Sequence, residues 1–219
     1  MNTWLWLLSF FLCQHALASE SLTLSSLNIH GEISIHSWKT LRDARVVKQD
    51  LDYSCGAAAL ATLLNEFYGQ SLTEEALLKA MDKGDLRASF DDMRRALPQF
   101  GFRAWGFAAT YEQLSKLKIP VIVYLKYRKD DHFSVLRGIS GDAVGLADPS
   151  LGNRTYSKAQ FLEMWETRKD DLADPNLKGK FLAVLPNNAG MIANDYFFTR
   201  VVNRQTAQAV GQMAIRVIP

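Results

Sequence analysis

Apolar and polar positions change period partway along the 219-residue chain. From Ser54 to Gly101 the spacing is helical. Leu60, Leu63, Leu64, Phe67 and Tyr68 fall at i, i+3, i+4, i+7 and i+8. That spacing paints one apolar stripe on a helix that opens at Ser54-Cys55 and stops at Gly69. Thr73 is expected to cap a second helix, with Glu74 and Glu75 in its first turn and Leu77, Leu78 and Met81 inward. Ser89-Phe90-Asp91-Asp92 resembles a capping box opening a third helix that ends before Gly101. Thr110 heads a short fourth, ended by Pro120. Beyond Ile119 the pattern becomes that of strands, over 119–125, 132–136, 143–147 and 181–185. Ser157 caps one helix among them, holding Phe161, Met164 and Trp165. Upstream, residues 19–44 alternate loosely, as a hairpin does, and Arg45-Val46-Val47-Lys48 reads as a short strand. Helices first and strands afterwards indicate an α+β fold, a helical half packed on a mostly antiparallel sheet.

Composition narrows the function classes. The chain is 48% hydrophobic and 22% charged, which excludes a disordered or collagen-like chain. A net charge of +2 gives no electrostatic case for nucleic acid. The first 18 residues carry no Lys, Arg, Asp or Glu, and run from an apolar block at Trp4–Leu12 to Ala16-Leu17-Ala18. This is the pattern of a secretory signal cut after Ala18, and the block is too short for a membrane span. Cleavage removes Cys13 and leaves Cys55 as the one thiol of an exported protein. Such a thiol has no internal disulfide partner, so it is buried, paired to another chain or reactive.

Cys55 sits at the expected start of an apolar helix, where unpaired N–H groups and the helix dipole favour thiolate over thiol. The small residues Gly56-Ala57-Ala58-Ala59 let that helix end approach other backbone closely. Most lone cysteines are packed apolar groups, so the position is informative only with partners. His132 starts a strand after the charged turn Arg128-Lys129-Asp130-Asp131, where a ring nitrogen can face an open edge. Asp148, before Pro149, ends the next strand 16 residues on. That spacing holds one strand, a turn and an antiparallel neighbour, so Asp148 can lie beside His132 and fix its tautomer. Gln49, six residues before Cys55, offers an amide donor for a developing oxyanion.

Together these segments resemble the C39 peptidase family. The resemblance rests on Gln49-Asp50-Leu51-Asp52-Tyr53-Ser54-Cys55-Gly56-Ala57-Ala58-Ala59-Leu60, on Asp131-His132-Phe133-Ser134-Val135-Leu136, and on Ala147-Asp148-Pro149. It implies a papain-like cysteine peptidase with Cys55 as nucleophile, His132 as general base and acid, Asp148 as orienter and Gln49 as oxyanion donor, without a cofactor or metal. It also implies a division into a signal (1–18), a lead-in hairpin (19–43), a C39-like domain (44–186) and a C-terminal extension (187–219). No transporter helices or nucleotide-binding motif follow, so the chain is most similar to stand-alone exported members encoded with bacterial functional-amyloid secretion systems. The implied partner is a peptide or protein substrate, an exported amyloid subunit or its secretion machinery, met in the periplasm. Some family members lack the cysteine and only bind. A non-catalytic receptor or chaperone, and a transglutaminase-like acyl transferase with the same Cys, His, Asp order, therefore stay open.

Two further features have plainer readings. Phe102, Trp105 and Phe107 on one strand suit packing more readily than a peptide groove. Arg94-Arg95 suits a solvated helix face, and no pair or trio of Cys and His has metal-ligand spacing.

Overall fold

The structure is a computed structural model that describes residues 21–26, 29–34, 37–82, 87–127, 130–168, 174–188, 191, 193–194 and 196–199. The chain divides into two compact units, Met1–Thr40 and Leu41–Pro219. In the first, β1 (Ser21–Ser26) pairs antiparallel with β2 (Ile29–Ser34) as a two-stranded hairpin. The expected signal over 1–18 lies outside the described residues.

The second unit is built on a six-stranded sheet, fully antiparallel in its pairings. Its strands are β3 (Phe102–Ala109), β4 (Val121–Tyr127), β5 (Asp130–Ser140), β6 (Ala143–Asp148), β7 (Gly152–Ser157) and β8 (Gly179–Pro186). Their order is β3-β8-β4-β5-β6-β7. The helices are α1 (Trp38–Asp43), which crosses the boundary of the units, α2 (Cys55–Tyr68), α3 (Glu74–Met81), α4 (Phe90–Ala96), α5 (Tyr111–Leu114) and α6 (Lys158–Trp165). The expected α+β class is what the chain adopts.

Helix α2 is the spine of one face. Twelve of its 14 residues are buried, and its stripe packs with Ile122, Val135, Leu182 and Val184 of the sheet. Each buried leucine of that stripe contributes on the order of 2 kcal/mol. Gly69 ends the helix in the left-handed region at φ 66°. Thr73 and Ser89 cap α3 and α4 through their hydroxyls, the latter in a capping box closed by Asp92. On the opposite sheet face, Phe161 and Trp165 of α6 meet Val121, Val123, Leu136 and Leu146. Trp165 lies so close over Gly179 that a Cβ there would fall 2.2 Å from the indole.

Several expectations need correction. Arg45–Lys48 forms no strand: the Val47 N–H donates to the Thr62 hydroxyl of α2 instead of a ladder. The helix capped by Thr110 closes after Leu114, well short of Pro120. His132 does not begin its strand, which starts at Asp130 and continues to Ser140. Strand β7 and helix α1 were not expected from the pattern. Among the described residues no helix is long and apolar enough to cross a membrane.

Part of the stretch after Asn187 packs on this unit. Phe197 is fully buried, with the Arg45 and Arg137 guanidinium carbons 5.1 and 4.8 Å from its ring centroid. The Asn194 N–H donates to the Phe67 carbonyl, and the Thr199 N–H to the Arg137 carbonyl.

Candidate active site

Three elements converge at one end of the sheet. Cys55 is the first residue of α2 and belongs to the buried cluster of that face. It is a free thiol, 3% exposed, yet it lines the floor of a cleft. Gly56 explains how the floor is reached. A Cβ there would meet the Met93 methyl at 2.6 Å, Ala88 at 3.3 Å and Phe133 at 3.4 Å. The bare position 56 lets the chain entering α4 and the strand of His132 close on the sulfur's helix without displacing the Met93 methyl.

His132 lies opposite Leu125 on β4, near the start of β5. The β5–β6 register pairs Val135 with Ala147, which sets Asp148 across from Ser134. Residues two apart share a sheet face, so Asp148 and His132 form a diagonal cross-strand pair. Their side chains meet, His132 Nε2 to Asp148 Oδ2 at 2.8 Å. The Cys55 thiol acts on the same ring and raises its pKa, and with Nε2 taken by Asp148 only Nδ1 is left for the sulfur. Three residues far apart in the chain thus form one row: thiol, imidazole, carboxylate.

The electrostatics follow from this row. Burial disfavours the charged imidazole, but hydrogen bonds to Asp148 and Cys55 outweigh it and raise the His132 pKa to about 9. Burial would likewise raise Asp148. Its bond to His132, that residue's charge, and the Leu151 and Ser150 N–H groups outweigh it and hold the carboxyl below its ordinary value. Those two N–H groups each reach Asp148 Oδ1 at 2.9 Å. The imidazole is thus kept protonated and correctly turned through the neutral range, and an imidazolium is the partner a thiolate needs.

Gln49 lies in the same cleft wall as His132 and Asp148. One of its amide N–H bonds goes to the Leu51 carbonyl, its Oε1 accepts from Ser150 Oγ, and its backbone N–H reaches the Pro149 carbonyl. The loop before Cys55 is in this way laced to the loop after Asp148. Glu74, buried on α3, accepts the Asp50 N–H and fastens the same loop from the other side. The Ser54 hydroxyl does not cap α2; it donates to the Leu51 carbonyl.

Some cleft residues escaped the sequence reading. Ser150 and Leu151 were visible only as the turn that an Asp-Pro pair suggests. Arg87, which donates to the Asp131 carbonyl, and Tyr124, which donates to Asp131 Oδ1, carry no motif. The same holds for Lys180, whose ammonium lies 5.7 Å from the centroid of the Tyr124 ring.

Comparison with known proteins agrees with this architecture. The profile of the Peptidase C39 family matches residues 43–168. The probable functional amyloid protease FapD of Pseudomonas aeruginosa is 39% identical over 138 residues, 60% of this chain and 61% of that protein. The protein of the same name from Pseudomonas fluorescens is 38% identical over the same coverage. The chain therefore spans about 61% of the length of these curated relatives. Among solved structures, the peptidase domain of Streptococcus ComA, a bi-functional ABC transporter involved in a quorum-sensing pathway, superposes with TM-score 0.55 at 21% identity, covering 64% of this chain and 97% of that one. A double glycine motif protease from an AMS/PCAT transporter, solved in complex with the leader peptide, gives TM-score 0.52 at 24% identity, covering 64% and 90%. At these identities the structural matches establish the shared fold.

Proposed function

The chain belongs to the peptidase C39 family, and we propose that it is a cysteine peptidase whose reaction is carried by Cys55, His132 and Asp148. The observation behind this reading is the row itself: the 2.8 Å bond from His132 Nε2 to Asp148, with the Cys55 thiol raising the pKa of the same ring. In the proposed reaction His132 holds the thiol proton while the sulfur attacks a scissile carbonyl carbon, forming a C–S bond and an oxyanion. N–H groups at the start of α2, with the second amide hydrogen of Gln49, are the donors for that oxyanion. His132 then passes its proton to the leaving nitrogen as the C–N bond breaks, leaving a thioester and a free amine. Water, deprotonated by His132, attacks the thioester and returns the thiol with a carboxylic acid product. Asp148 turns the ring and stabilises its charge throughout, without itself taking the proton.

The substrate we infer is an exported protein of a functional-amyloid system, met in the periplasm. Support comes from the two relatives named as probable functional amyloid proteases and from the signal-like start over 1–18. The test compares exported-protein cleavage products from cells carrying the native chain and a Cys55→Ala copy. Loss of a defined cleavage, with the variant still folded, is expected. Unchanged products would end the peptidase reading, and products carrying a new amide bond in place of a new carboxylate would redirect it to acyl transfer.

A further inference from the structure

The cleft does not end at the imidazole. The hollow of about 390 Å³ that holds His132 and Asp148 runs on into another of about 540 Å³, and the two share Tyr127, Tyr156 and Met164 as walls. The fold explains this trough. His132 lies opposite Leu125 on β4, and residues two apart on a strand share a face. Leu125 and Tyr127 therefore stand on the sheet face of His132, the face that α6 covers. Helix α6 adds Met164 and β7 adds Tyr156. Charge does not dominate these walls. Asp130 pairs with Arg87 at 4.0 Å, Asp131 accepts the Tyr124 hydroxyl, and Glu166 pairs with Lys178 at 4.0 Å. Asp52, Lys126 and Glu163 are exposed to water. Between His132 and α6 the trough is thus lined by Leu125, two phenol rings and a thioether.

The reaction says what occupies the trough. The carbonyl that becomes the thioester stays on Cys55, in a separate hollow of about 420 Å³. The leaving nitrogen must reach the imidazole, so the residues after the cleaved bond run past His132. We propose that the trough seats this segment of the substrate and selects a large apolar side chain, Leu, Ile, Met or Phe, at its second or third residue. This rests on the peptidase reading above. The position follows from the strand: Tyr127 lies two residues beyond Leu125, about 7 Å further along β4. An extended substrate leaving the imidazole covers that distance in two residues. Met164 is unbranched and adapts to several apolar shapes, so the preference is for bulk and not for one residue type. Burial, with the charges of Asp148 and Tyr127, pushes the Tyr156 pKa up to about 12. Its hydroxyl therefore keeps its proton through the neutral range, as a donor for a backbone carbonyl of the seated segment.

The experiment digests a mixed-sequence peptide library with the full chain and reads cleavage sites by mass spectrometry, with Cys55→Ala as control. An apolar pocket discriminates about ten-fold or more for a single methylene group. Leu, Ile, Met and Phe should therefore be enriched about ten-fold over Gly and Ser at the second or third position after the bond. The enrichment should persist at high salt, where a preference built on charge would fade. Tyr127→Ala, at a residue 41% exposed, should lower it several-fold. Met164→Lys should replace it by a preference for acidic residues at the same positions. Circular dichroism checks that both variants fold. Cys55-dependent cleavage without apolar enrichment after the bond, or enrichment that neither variant moves, overturns this inference and leaves the peptidase reading standing. Absence of any Cys55-dependent cleavage overturns the peptidase reading, and this inference with it.

Discussion

Asp148→Asn is the most informative single change, because the geometry says which hydrogen goes where. Asp148 Oδ1 takes the Ser150 and Leu151 N–H groups, and Oδ2 takes His132. An asparagine keeps its oxygen on the two backbone donors, so its NH2 faces the ring. His132 Nε2 must then accept, and the ring proton is driven to Nδ1, the nitrogen that faces the sulfur. The base is blocked by its own tautomer. The loss in kcat/KM is expected on the order of 100- to 10,000-fold. The charge effect can be sized too. Raising the imidazole from 6.5 to about 9 corresponds to about 3 kcal/mol in favour of the imidazolium. With the carboxylate gone, burial acts against the charge with only Cys55 left to oppose it. The alkaline limb of kcat/KM, expected near pH 9 in the native protein from the raised His132 pKa, should fall towards the ordinary imidazole range. A pH series with a cleaved peptide, or of iodoacetamide labelling of Cys55, reads this directly, with circular dichroism as the folding control. A variant within a few-fold of native activity, with its alkaline limb still near 9, would falsify the assigned hydrogen-bond pattern.

Other outcomes follow from the same features. The raised pKa of His132 contributes stability that is complete below pH 6.5 and is lost as pH rises towards 9. The lowered one of Asp148 contributes stability that is lost as pH falls through the carboxylate range. Urea midpoints should therefore decline on both sides, and Asp148→Asn should flatten both slopes. Phe197→Ala should cost about 3–5 kcal/mol in urea unfolding, because it empties a fully buried site between two guanidiniums; a cost under 1 kcal/mol would mean that the segment is not docked. Gly152→Ala should lower the melting temperature, since position 152 has φ 77° and a Cβ would sit 2.6 Å from the Arg42 carbonyl oxygen. Its expected cost is on the order of 1–3 kcal/mol, and an unchanged melt would refute the crowding argument.

Legibility in the sequence followed one rule: a feature could be read where a side chain left a local imprint. Helix α2 had an apolar stripe and a glycine stop, and α4 had a serine and an aspartate at cap spacing. Strand β7 left none. Gly152–Ser157 has no apolar alternation and is mostly half-buried, so its ladder with β6 defines it. Helix α1 buries no residue and therefore shows no periodicity. Val46 and Val47 look like strand residues, but their segment is held by the Thr62 hydroxyl and has no ladder partner. In the cleft, Cys55, His132 and Asp148 could be named because their chemistry constrains both residue type and flanking elements. Arg87 and Lys180 could not, because their place beside the sulfur comes from long-range folding alone.

The thiol proposed as nucleophile rides on a helix, while the imidazole and carboxylate ride on strands. Neither layer holds a working centre by itself, so catalytic competence and the docking of the two layers are one and the same property. The seam between them is close-packed at the bare Gly56, where a Cβ would press on Met93, Ala88 and Phe133. Loops around the rim lie outside that seam, and they can vary in pursuit of new substrates without disturbing the alignment on which turnover depends.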